Sequence, residues 1–136
     1  MAALARSPDE LQRLARHAYL QGLKLYDERE VRDQNLSLAI RAYQEAENYL
    51  ETIEPKPDFY PHIIAGRKDS ERELQAKYED RLFQAERAIK LQDWTEAARH
   101  LRVMCAMIPN RSDERNKQAM RELLDVERHL APTQRP

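Results

Sequence analysis

The side chains that could carry chemistry are few in this chain and badly spaced for it. Its histidines are His17, His62, His100 and His129, and its single cysteine is Cys105. A metal site on one helix needs ligands three or four residues apart, so that they share a face. No two of these residues meet that spacing. A dimetal carboxylate centre in a helical bundle needs a Glu three residues before a His on facing helices. No histidine here has one, and Glu127 stands too close to His129. Carboxylate pairs such as Glu45/Glu47 and Glu71/Glu73 do occur. A chain with 35% charged residues produces such pairs on solvated helix faces without catalytic purpose. Glycine is present only at Gly22 and Gly66, so no Gly-rich loop can cradle a phosphate. Cys105 lies in "HLRVMCAMIP", where it reads as a small apolar residue of a core. A reactive thiol needs a basic or helix N-terminal setting. The reading is a protein that is not an enzyme, with no catalytic residues, no metal and no cofactor.

Binding is then the remaining route to function, and composition bounds it. The chain has 136 residues and a formal net charge of −1. That length suits a single domain, 1–136, with one modest core. Near-neutral charge gives no basic field for a phosphate backbone, so nucleic acid is not an expected partner. The local basic groups Arg6, Arg13, Arg16, Arg99 and Arg102 read as solvated helix faces. No apolar run approaches the ~18–20 residues of a membrane span. The start "MAALARSPDE" lacks the apolar core of a signal peptide. A cytoplasmic protein is expected, or a soluble domain of a larger one.

The elements that must position any binding residues are helices. Ala, Leu, Glu, Arg and Gln dominate the sequence, and these favour helix. In "SPDE", Ser7 can cap, Pro8 fits the first turn and Glu10 completes a capping box. Leu11, Leu14, Ala15, Ala18, Gly22, Leu25 and Tyr26 then recur at helical spacing. A second helix is expected over 35–53, capped by Asn35 or Asp33. Its apolar stripe is Ala39, Ala42, Tyr43, Ala46, Leu50 and Ile53. A third is expected from Ser70, through the capping box "SERE", to Leu91. A fourth runs from Asp93 to Ile108 and stops before Pro109. A fifth is capped by Ser112 and ends near Leu130.

Between the second and third helices lies "EPKPDFYPHIIAG". It carries Pro55, Pro57 and Pro61, which discourage long regular helix. It also carries Phe59, Tyr60, Ile63 and Ile64, which is unusual for a loop. Residues 55–69 therefore read as a Pro-rich apolar insertion. Three fates are open to it: packing on its own helices, covering a second copy, or lying beside a binding groove as a lid.

The stretch "QAERAIKLQDWTEAARHLRVMCAMIPN" resembles a tetratricopeptide repeat, a helix–turn–helix unit of about 34 residues. Ala97, Leu101, Met104 and Pro109 fall at the spacings of that family's second helix, and Ala85 at the small position of its first. Asp93 and Trp94 occupy the turn. Ala119 follows Ala85 by one repeat length of about 34 residues. Gly22, Ala39, Tyr43 and Ala46 match an earlier, expanded unit. The resemblance implies an all-α fold of about five helices, in antiparallel hairpins stacked as an α-solenoid fragment. Its parts would be an expanded hairpin at 8–54, the insertion at 55–69, the best-matching hairpin at 70–109 and a capping helix at 112–130. An irregular helical bundle is the alternative.

Members of that family bind peptides or partner helices along a concave face lined by first helices. The resemblance implies a face carrying His17, Tyr19, Leu23 and Tyr26 from the first helix. Leu82, Glu86, Ile89 and Lys90 would follow from the third, with Phe59 and Tyr60 from the insertion. Some relatives clamp a C-terminal carboxylate with Lys and Asn. The equivalent positions here are Tyr19 with Leu23 and Leu82 with Glu86, so that clamp is not expected. A mixed aromatic and aliphatic groove suits an amphipathic helix or an apolar peptide better. The expected function is a protein–protein interaction scaffold or adaptor binding a partner protein. The alternative is a self-associating structural domain of a larger assembly, a homo-oligomer that covers its own exposed surfaces.

Overall fold

A computed structural model describes residues 5–130 and 132. The described residues are all-α, with five helices: α1 (Pro8–Asp27), α2 (Asn35–Tyr49), α3 (Tyr60–Lys90), α4 (Trp94–Met107) and α5 (Glu114–Glu127). The described residues contain no strand. α1 pairs with α2 and α4 with α5, as antiparallel hairpins. Two compact units divide the chain, one ending at Arg72 and the other beginning at Glu73. The boundary falls inside α3, so each unit owns two other helices and part of this one.

Local signals set most helix starts. The Ser7 hydroxyl accepts from the Glu10 amide at 3.2 Å, with Pro8 in the first turn. Asp93 caps α4 in the same way, accepting from the Glu96 amide at 3.2 Å. The expected caps of α2 and α5 need correction. Asn35 is the first residue of α2, and its side-chain amide reaches back to the Glu28 carbonyl at 2.8 Å. It thereby braces the loop rather than capping the helix. At α5 the cap is Asp113, not Ser112, and it accepts from the Arg115 amide at 2.8 Å.

The larger correction is at α3, which begins at Tyr60 and not at Ser70. Pro61 lies in the first turn, where its missing amide proton costs nothing. The start is secured by the Tyr60 amide on the Pro57 carbonyl at 3.0 Å and the Ile63 amide on the Phe59 carbonyl at 3.2 Å. Gly66 continues the helix, and Ser70 is a fully buried mid-helix residue rather than a cap.

In the first unit the core is Ala15, Ala18, Ala39, Tyr43, Ala46, Leu50, Ile53 and Ile63. Phe59 and Tyr60 pack against it, so the apolar segment folds back on its own helices. Tyr43 is the central piece. A Cβ added at Gly22 would stand 2.6 Å from its Cε1, and one at Gly66 would stand 2.9 Å from its Cζ. Both glycines of the chain thus make room for one buried ring, from α1 and from α3. Lys56 closes the end of α2, donating to the Leu50 carbonyl at 2.6 Å and the Glu51 carbonyl at 3.2 Å. A cation there suits the helix dipole. Arg67 of α3 binds Glu47 of α2 with two parallel bonds, Nε to Oε2 at 2.6 Å and Nη2 to Oε1 at 3.1 Å.

In the second unit Leu74, Tyr78, Ala85 and Ala88 of α3 are buried, with Ala97, Ala98, Leu101, Met104 and Met107 of α4 and Ala119 and Val126 of α5. Tyr78 donates from its hydroxyl to the Arg115 carbonyl at 3.0 Å, tying α3 to α5. Asn116 donates to the Ile108 carbonyl at 2.7 Å and braces the α4–α5 loop. α3 ends in a Schellman motif. Gln92 takes φ 56°, its amide meets the Ile89 carbonyl at 2.9 Å, and the Asp93 amide meets the Ala88 carbonyl at 2.9 Å.

Candidate functional site

An aromatic cluster of the first unit gathers where α1 faces the start of α3. Tyr19 is held half-buried by helical register with Ala15 and Ala18, which face the core. Phe59 is brought beside it by the turn that opens α3. Their rings stack with centroids 5.9 Å apart and planes 20° apart. The Arg16 guanidinium lies 4.7 Å from the Phe59 centroid, a cation over a ring face. Below them is Tyr43, with its ring centroid 6.2 Å from that of Tyr19. Burial, and then the neighbouring Tyr19, Tyr26 and Asp27, push the Tyr43 phenol up to about 12. It stays protonated and serves as floor, not as an acid or base.

Of the expected face, Tyr19, Tyr26, Phe59 and Tyr60 all pack on the core of the first unit. Lys56 stands 5.4 Å from the Tyr60 ring centroid. Tyr26 is half-buried, and its ring is covered by Arg29 at 4.1 Å. His17 is exposed and meets Gln21, with Nε2 atoms 3.2 Å apart. Leu23 is 39% exposed on α1. Leu82, Glu86, Ile89 and Lys90 belong to the second unit, on the last turns of α3. There Leu82 and Ile89 are half-buried, and Glu86 and Lys90 are exposed.

Sequence reasoning missed Leu20, Arg16 and Glu122. Leu20 is 55% exposed, more than Leu23, and it extends the apolar surface of α1. Its position off the buried stripe of Ala15, Ala18 and Gly22 was the available signal. Arg16 is exposed, as a solvated face implies, and what the sequence does not show is the Phe59 ring beneath its guanidinium. Glu122 of α5 is pushed up by burial and then by the nearby charge of Glu86. Nothing local in the sequence announces that pairing across two helices.

Chemically this surface offers aromatic area with a cation over one ring. Cys105 is half-buried, and burial raises its thiol. Among the described residues no group of three or more His, Cys, Asp or Glu is placed to hold a metal ion. No helix of the described residues is long and apolar enough to cross a membrane. No protein-family model, no curated protein and no solved structure matches the chain.

Proposed function

We propose that this chain is a non-enzymatic interaction module, a scaffold or adaptor of tetratricopeptide-like helical-repeat type, which binds an apolar peptide or amphipathic helix of a partner protein. The observation that carries the reading is the α1 surface. Leu20 and Leu23 are exposed on α1, at 55% and 39%, and the same helix carries Tyr19, which stacks on Phe59 above the buried Tyr43 ring. A rigid aromatic and aliphatic patch offers contact area at small entropic cost. Co-purification with tagged protein tests it. Wild-type protein should retain a defined partner, and Leu23→Glu should lose it while melting at the same temperature. Failure of the wild type to retain any specific protein would refute the reading.

A second reading, a self-associating structural domain, is favoured by a different observation. In the second unit Phe83 is 67% exposed, Leu91 69% and Leu124 56%. Light scattering separates the two, because only self-association makes the measured mass rise with concentration.

A further inference from the structure

His100 is the one buried histidine, at 5% exposure, and it sits where α4 meets α3. Its Nδ1 lies 3.0 Å from Nη1 of Arg81 on α3. A guanidinium can only donate. Arg99 Nη2 makes the weaker approach to Nε2, at 3.4 Å, so the shorter contact makes Nδ1 the accepting, unprotonated nitrogen and leaves the ring proton on Nε2. That side faces Oε1 of Glu96 at 3.7 Å and Nη2 of Arg99 at 3.4 Å. Glu96 is already engaged, since Arg99 Nε donates to both its oxygens at 3.0 and 3.1 Å. The imidazole thus lies between two guanidinium groups, with one committed carboxylate on its protonated edge.

We propose that His100 is a proton-sensitive latch between α3 and α4. Neutral, it accepts from Arg81 and holds the two helices together. Protonated, it has no lone pair at Nδ1, and its charge repels both Arg81 and Arg99. The charged groups around it are Arg81 and Asp80 from α3 and Arg99 and Glu96 from α4, and the cations stand closest to its nitrogens. Burial, then Arg99 and Arg81, hold its pKa below the ordinary 6.5, while Glu96 and Asp80 oppose them. For a base with a lowered folded-state pKa, the unfolded chain binds the proton first. The latch therefore stabilises fully above the ordinary value of 6.5. That stability is lost as pH falls through the folded-state value. Each unit of lowering makes opening about tenfold easier once the ring is charged.

Two measurements on the full chain test this. Nuclear magnetic resonance titration of the His100 ring should show a midpoint below that of an unstructured histidine, and Arg81→Gln should move it up. Amide exchange, corrected for intrinsic rates, should show α4 protection falling between pH 7.5 and pH 5 in the wild type. His100→Gln keeps an acceptor without the titration, and should make α4 protection flat over that range. A His100 midpoint at or above that of the unstructured residue would overturn the proposal. So would an unchanged acid loss of protection in His100→Gln.

Discussion

Tyr43 shows how one side chain dictates its neighbours. Its ring is 1% exposed and cannot yield to an added methyl group. Gly22→Ala gains roughly 1 kcal/mol of helix propensity. It also forces a carbon to within 2.6 Å of the ring. Overpacking of this kind costs about 1–3 kcal/mol, so the variant should be less stable in urea denaturation. The shape argument gives a control. In a Tyr43→Leu background the same Gly22→Ala change should be neutral or stabilising. The position of Gly22 as a small helical residue was legible, because it lies in the apolar stripe of α1. Its reason was not, because the ring that requires it comes from another helix. Gly66 falls in the expected insertion for the same cause: a glycine serving a distant ring looks, locally, like a turn. Phe59 and Ile63 make the complementary case. Ile63 is wholly buried and Phe59 packs on the same core. Removing either deletes contacts worth about 2–5 kcal/mol. The double variant Phe59→Ala with Ile63→Ala should therefore lower the melting temperature of the protein.

Element boundaries followed local chemistry wherever the partner lay within one turn. Ser7 and Asp93 were readable as caps because each bonds an amide three residues on. Ser70 shows the limit of that rule. "SERE" is a capping pattern only where a helix begins, and here α3 already runs from Tyr60. What extends the helix upstream is the burial of Ile63 and the tolerance of Pro61 in the first turn, both tertiary or positional facts. The turn after α3 yields its own prediction. Gln92 holds φ 56°, a conformation that disfavours any side chain. Gln92→Gly keeps both Schellman hydrogen bonds and should raise stability by about 0.5–1 kcal/mol. Thermal or chemical denaturation would show it. Trp94, the only tryptophan, stacks on His129 at 3.9 Å and gives a fluorescence probe for the packing of α4 with α5.

At the scale of the whole molecule, helical content was plain from composition, and the described residues form five helices. The small and apolar spacing of Ala85, Ala97, Leu101, Met104 and Ala119 marked core positions of the second unit, and all five are fully buried. Part of the aromatic cluster was also legible: Tyr19 and Phe59, far apart in sequence, do stack. Leu20 and Arg16 were hidden, because exposure on a helix depends on what the opposite wall leaves uncovered. The central claim is that α1 presents the partner-binding surface, and site-specific photo-crosslinking tests it most directly. A photoreactive residue placed at Leu20 or Leu23 should capture a partner polypeptide. The same residue at Arg41 or Gln44, exposed on α2, should not. Equal capture at all four positions, or capture confined to α2, would contradict the claim.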